Sequence, residues 1–176
     1  MPSPRREPEL PRGPGQGKSL QGRIDGGARG NPGPAGIGVL LEEVGGAREE
    51  HYAYLGTTTN NVAEYAALLV LLDQCVRRSA EDLVVFSDSL LLVKQMLGEY
   101  RVRNPKLQAL HAAARRLMAR IGRVTFRHVP REENRDADRL ANRAMDEQGS
   151  SEPIPEEVAR LLDASTQGAL SLGERN

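Results

Sequence analysis

Four acidic residues stand where a reactive centre is easiest to build. Asp25 follows the extended run that ends in Arg23-Ile24, and Asp88 follows the apolar run Leu83–Phe86. Glu64 and Asp138 fall in the first turns of two helical patterns, Val62–Arg78 and Asp136–Asp146. Gathered in one place, four carboxylates repel one another unless cations bind among them. Hard divalent cations take oxygen ligands, and Mg²⁺ also keeps waters and uses substrate phosphates. Two such ions roughly 3.5–4 Å apart stabilise both the attacking and the leaving oxygen of a phosphodiester displacement. Taken singly, each acid has an ordinary explanation as well. Asp25 can be a turn residue, and Glu64 gains from the dipole of its own helix.

The elements around these residues decide whether they meet. Gly22–Gly38 reads as a strand, a glycine- and proline-rich connection, then a second strand. Small residues there let a phosphate backbone come close, because no Cβ atoms block it. Gln21–Ala28, Ala35–Glu43 and Glu49–Thr57 are expected to form an antiparallel meander, with a turn at Gly45-Gly46. Thr57–Asn61 is a polar run in which Thr59 or Asn60 caps the helix Val62–Arg78. The strand Leu83–Phe86 follows that helix, so it should pair in parallel with the first strand through a crossover. Asp25 and Asp88 then lie side by side at strand ends. Further along come a helix Leu90–Gly98, a link Glu99–Pro105, a helix Lys106–Ile121, a strand Arg123–Val129 and a polar loop Pro130–Asn134. The fold class is therefore α/β, with helices beside a mixed sheet.

Composition sets the limits. The chain has 176 residues with 39% hydrophobic content, enough for one domain with tails. Lysine plus arginine equals aspartate plus glutamate at 24 each, so net charge points to no partner. The distribution does: Arg101 to Arg131 holds nine basic residues and no Asp or Glu, a footprint for a polyanion. Cys75 is the only cysteine, which excludes an internal disulfide and a cysteine-based zinc site. No apolar run reaches the ~20 residues of a membrane span, and the N-terminus lacks the apolar segment of a secretory signal, so a cytoplasmic protein is expected. Residues 1–20 carry five prolines and are expected to be a disordered tail. The domain is expected to span 21–148. Residues 149–176 form a C-terminal extension in which Pro155–Asp163 is compatible with a short amphipathic helix.

These motifs together resemble the ribonuclease HI (type 1 ribonuclease H) family. The residues that carry the resemblance are Asp25-Gly26-Gly27 with Gly30-Asn31-Pro32-Gly33-Pro34 and Gly36-Ile37-Gly38, then Thr59-Asn60-Asn61-Val62-Ala63-Glu64, then Ser87-Asp88-Ser89, then Glu133-Asn134 with Ala137-Asp138-Arg139-Leu140-Ala141. The resemblance implies a five-stranded sheet, three strands antiparallel and two parallel. It implies metal-dependent cleavage of the RNA strand of an RNA/DNA hybrid, leaving 5′-phosphate and 3′-hydroxyl ends. Asp25, Glu64, Asp88 and Asp138 match the catalytic ligands of two Mg²⁺ or Mn²⁺ ions. Gly26 and Asn60, with the neighbouring Asn61, match contacts to the hybrid, and Asn31 and Thr59 match a pocket for a DNA-strand phosphate. The motif and the inner face set by Leu140 and Ala141 favour Asp138 over Asp136 as fourth ligand.

Three departures qualify the resemblance. The short stretch Leu97–Pro105 leaves no room for the basic protrusion of well-known bacterial members, and Arg101 and Arg103 with later arginines are candidate substitutes. His128 matches a loop histidine by counting, yet its place in an alternating run makes it a strand residue, with the loop histidine absent or replaced by Glu132 or Glu133. Leu90 stands where a polar nucleic-acid contact is common in the family. The run His128–Asn134 resembles the archaeal-like bacterial branch, some of whose members also act on double-stranded RNA. A monomer is the default. The competing readings are a non-catalytic nucleic-acid-binding module and a nuclease of the same superfamily that acts on DNA.

Overall fold

Alternation along the first strand, β1 (Lys18–Ala28), sends Leu20, Gly22 and Ile24 to one side of a sheet and Gln21, Arg23 and Asp25 to the other. In the computed structural model, which describes residues 17–163, β1 lies at the centre of that sheet. The proline-rich stretch expected to be disordered lies outside the described residues as far as residue 16. Its last part is corrected. Lys18, Ser19 and Leu20 belong to β1, where they pair with Ala80, Asp82 and Leu83, and Leu20 is buried in the core.

The meander forms as expected. β2 (Gly33–Glu43) pairs antiparallel with β1, and β3 (Arg48–Thr58) antiparallel with β2. Helix α1 (Asn60–Arg77) then crosses over to β4 (Ala80–Ser87), which runs parallel to β1. Three further elements follow: α2 (Leu90–Met96), α3 (Pro105–Met118) and β5 (Arg123–His128), the last parallel to β4. A 3₁₀ turn at Arg131–Glu133 leads into α4 (Arg135–Glu147). The sheet order is β3-β2-β1-β4-β5.

The two sides of the sheet are packed differently. α1 lies between the sheet and α3, so it is apolar on nearly every side, and Leu68, Leu69, Leu71 and Leu72 are fully enclosed. Burying each such leucine stabilises the fold by roughly 2 kcal/mol. Cys75 belongs to this layer, and burial pushes its thiol up to about 12, so it behaves as a small hydrophobe. α4 covers the other side, over β2. Its approach depends on missing side chains: a Cβ at Gly38 would lie 2.1 Å from the Ala137 carbonyl oxygen, and one at Gly36 2.7 Å from that of Ala141.

The chain continues past α4 and stays on the domain. Ser151 donates its backbone N–H to the Tyr52 carbonyl (2.9 Å) and accepts at Oγ from the Tyr52 N–H (3.0 Å). Ser150 Oγ accepts from the Tyr54 N–H (3.0 Å). Residues 156–163 then form a helix, α5. Its Val158 joins the core and borders a recess with Leu69, Ala113 and Leu117. Among the described residues, no helix is long and apolar enough to cross a membrane.

Candidate active site

Side-chain alternation carries Asp25 and Asp88 to the same side of the sheet, Asp25 just beyond the last β1–β4 pair, Ile24 with Ser87, and Asp88 just past β4. Asp25 is pinned by its pairing with Gly38, the residue that α4 overlies. Asp88 follows the last residue of β4, and Ser89 caps α2 by accepting from the Leu92 N–H (3.2 Å). Glu64 arrives from the second turn of α1, whose N-cap is Thr59: its Oγ1 accepts from the Val62 N–H (3.2 Å). The helix start can reach β1 because Gly26 has no side chain. A Cβ there would sit 2.3 Å from the Ala63 carbonyl oxygen.

One ligand oxygen each from Asp25, Glu64 and Asp88 lies within 4.8 Å of the others. Asp138, from the first turn of α4, joins them in lining an open cavity of about 320 Å³. Asp136, the alternative on the same helix, turns away and meets Arg48 at 2.6 Å. Burial, then the neighbouring Asp88 charge and a hydrogen bond with Asp138, push the Asp25 carboxyl up to about 8. Burial, Asp25 and Asp88 likewise hold the Glu64 carboxyl well above its ordinary range. The Gly26 N–H opposes both shifts by donating to the charged forms. Glu64 Oε2 is enclosed and has no hydrogen-bond partner. An all-oxygen set of mutually repelling carboxylates, with an enclosed oxygen left unpartnered, fits a hard divalent cation.

The remaining expected site residues divide. Gly26 and Asn60 line the cavity with the carboxylates. Asn60 Oδ1 accepts from the Ala28 N–H (2.8 Å), and Asn31 Oδ1 accepts from the Asn60 N–H (3.1 Å). The two asparagines thus fasten the glycine-rich connection to the start of α1, beside Thr59. Asn61 is exposed on the first turn. Arg101 lies elsewhere, in a separate groove of about 450 Å³ shared with Tyr100, Gln108, His111 and Arg115, and Arg103 is exposed on the same link. The basic segment is not one face. Arg123 forms a two-bonded pair with Asp82 (3.0 and 3.0 Å), Arg116 and Arg120 border the α5 recess, and Arg131 lines the cavity. His128 ends β5, with Nε2 3.2 Å from the Asp88 carbonyl oxygen.

Three residues at or beside the cavity have roles that the sequence reading does not assign. Asn134 is fully buried; its Nδ2 donates to the Ile24 carbonyl (2.8 Å) and to Asp88 Oδ2 (3.3 Å), tying both aspartate strands together. Arg131 approaches Asp138 at 3.5 Å. Asn142, one turn beyond Asp138, donates to its carbonyl (3.0 Å) and accepts from Arg29 (3.4 Å). Spacing along α4 was the available signal for Asn142. Asn134 stands in the Glu133-Asn134 motif of the family resemblance, but no role is attached to it there.

Comparison with known proteins agrees with this geometry. A family model described as reverse transcriptase-like matches residues 23–144. The bifunctional protein Rv2228c of Mycobacterium tuberculosis is 40% identical over 140 residues, covering 78% of this chain. The chain spans only 38% of that relative's length. Ribonuclease HI of Halobacterium salinarum is 38% identical over 76% of this chain and 68% of its own length. Among solved structures, LC11-RNase H1 in complex with an RNA/DNA hybrid is 43% identical, with a TM-score of 0.69 over 74% of this chain and 99% of that one. A shared fold, shared sequence over most of the domain and relatives of one kind lead to a single assignment: the chain belongs to the type 1 ribonuclease H family of hydrolases.

Proposed function

We propose that this protein cuts the RNA strand of RNA/DNA hybrids by metal-dependent hydrolysis, leaving 5′-phosphate and 3′-hydroxyl ends. The observation that carries the reading is the convergence of Asp25, Glu64 and Asp88 within 4.8 Å on the floor of an open cavity. A pure phosphate binder gains nothing from clustered negative charge, which argues against a non-catalytic module. The hybrid held by the LC11 relative supports the substrate class.

Asp25, Glu64, Asp88 and Asp138 are the residues that would hold Mg²⁺ or Mn²⁺, two ions when substrate is present. Such ions supply charge neutralisation and activation of water at a phosphodiester. The chain's own residues do the rest. Gly26 and Gly27 line the cavity as bare backbone, and at Gly27, where an added Cβ would meet only Asn60 at 3.9 Å, the missing side chain leaves room for a nucleic-acid strand. Asn60, braced by Asn31, and the exposed Asn61 offer amide groups to the hybrid's minor groove, where shape and 2′-hydroxyls are read with little regard for sequence. Arg29 and Arg131 at the cavity rim offset the acidic floor and give phosphates a cationic contact. Arg101 and Arg103 extend the phosphate contacts at a distance, in place of a basic protrusion. The enzyme acts as a monomer, and double-stranded RNA is a secondary substrate.

Cleavage of an end-labelled hybrid in Mg²⁺, in Mn²⁺ and in chelator tests the reading, with Asp88→Asn as control. Single-stranded RNA, double-stranded RNA and double-stranded DNA run beside it. Metal-dependent cutting of the hybrid's RNA, lost in the variant, is the expected result. Hybrid binding without cutting in either metal would overturn it in favour of a binding module.

A further inference from the structure

One side of the sheet is only partly covered. α4 packs chiefly on β2, with β3 and β1 at its margins, while α1, α2 and α3 take the opposite side. Among the described residues, no helix lies across β4 and β5 on the α4 side. Alternation puts Val84 and Phe86 of β4, and Thr125 and Arg127 of β5, on that open face, because Leu83, Val85 and Phe126 point into the core. Across β1, Arg23 completes it, with its guanidinium 4.4 Å above the Phe86 ring.

We propose that this face is a track for the single-stranded RNA flank that leaves the hybrid at the cavity; the inference rests on the substrate assigned above. The face lies beside the cavity, across the turn Arg131–Glu133. Arg23 and Phe86 stand two residues before Asp25 and Asp88 on the same strands and the same face, a separation of roughly 6–7 Å along each strand. The strand held at the carboxylates is the RNA, so the flank that runs down these two strands is RNA as well. The partition between cavity and face is the turn Arg131–Glu133. Arg23 braces it by donating to the Glu133 carbonyl (3.4 Å), and it carries Arg131 at the cavity rim.

Charge favours the same path. The cavity floor is acidic, whereas the open face offers Arg23, Arg127 and an Arg123 already neutralised by Asp82. A phosphodiester chain leaving the cavity thus meets cations and a flat surface. The Arg23 guanidinium, held in plane by the ring beneath it, is a surface on which an unpaired base stacks without sequence preference. Arg127, exposed and beside Phe86 in the register, meets the phosphate. An unpaired flank fits here better than duplex, because stacking needs a free base face.

Steady-state cleavage separates this inference from the substrate reading. The comparison uses a blunt hybrid, the same hybrid with an unpaired RNA extension on its RNA strand, and the same hybrid with an unpaired DNA extension on its DNA strand. The RNA extension should lower KM several-fold with kcat little changed. Arg127→Glu should erase that gain and make the salt dependence of KM shallower, by about 0.7 in log–log slope when one phosphate is left without its cation. The variant should process the blunt hybrid as the parent does, which shows that it is folded. Arg127→Gln should lose part of the gain. Equal KM for blunt and RNA-extended hybrids would overturn the inference, as would a gain that survives Arg127→Glu or one that the DNA extension reproduces in full. Failure to cut even the blunt hybrid would overturn the substrate reading instead.

Discussion

α1 and α4 each lend one carboxylate to the cavity, and they are built in opposite ways. α1 is enclosed by sheet and α3, so Glu64 is placed by core packing. α4 has a solvated side held by ion pairs: Arg48–Asp136 (2.6 Å), Arg139–Glu50 (2.9 Å), Arg143–Glu147 (2.9 Å) and Arg29–Asp146 (2.6 Å). Exposed pairs of this kind add little, because solvent screens them and holding long side chains in place costs entropy. They cannot be what sets Asp138. The backbone contact over Gly36 and Gly38 is. Both helices need a bare strand beneath them, α1 at Gly26 and α4 at Gly36 and Gly38; what differs is the rest of their surroundings, core for one and solvent for the other.

The largest effect should come from the buried acid. Glu64→Gln should lower hybrid cleavage by about 10³-fold or more. It should also raise the melting temperature of the metal-free protein, because the enclosed repulsion is relieved. A variant with lost cleavage but an unchanged or lower metal-free melting temperature would show that Glu64 is not under the strain its surroundings imply. Next comes the glycine contact. Gly38→Ala should cost about 1–3 kcal/mol or more in denaturant melts and depress cleavage, because α4 must lift away with Asp138. Stability and activity both unaffected would mean that α4 has another anchor.

Asn134→Ala should cost about 1–3 kcal/mol, since the buried Ile24 carbonyl loses its donor. Its signature is a raised metal concentration for half-maximal activity, as Asp88 is released. Loss of stability with unchanged metal dependence would leave Asn134 a purely structural residue.

The pH dependence follows from the raised acids. Asp25 rises from 3.8 to about 8 in the fold, so between these values the native state binds more protons than the unfolded chain. Stability of the metal-free protein should therefore fall as pH rises through about 4 to 8. Asp25→Asn or added divalent cation should flatten the curve, and a melting temperature that climbs over this range in chelator would contradict it. Smallest of all, Arg139→Ala should change stability by no more than ~1 kcal/mol and leave cleavage intact. A large loss in either would restore the ion pairs as the determinant of α4.

The legible parts of the molecule were those where local pattern and tertiary role coincide. An apolar run followed by an acid marks the end of β4 at Asp88 and the end of the β1–β4 pairing at Asp25, although β1 itself runs on to Ala28, and Thr59 is a cap before it is anything else. What stayed hidden depends on partners distant in sequence. Pro130–Asn134 is polar and reads as a solvated loop, yet Asn134 is buried because two strand ends 110 and 46 residues away need its amide. Lys18–Leu20 continues a polar tail by composition, but β4 supplies the partner that makes it strand. The arginines from 101 to 131 form one run in sequence and several surfaces in space, because helix, turn and strand periods point them apart.

The clasp of Ser150 and Ser151 on β3 bears on how the protein keeps apart from copies of itself. β3 is the outermost strand on its side of the sheet, and an open edge of backbone donors and acceptors is a template for another chain's strand. The two serines occupy the donors of Tyr52 and Tyr54 and the Tyr52 acceptor. A chain cut after Gly149 would keep every carboxylate of the cavity and lose this cover. Its failing would be colloidal rather than catalytic: strand-to-strand association that grows with protein concentration while the remaining monomer still works.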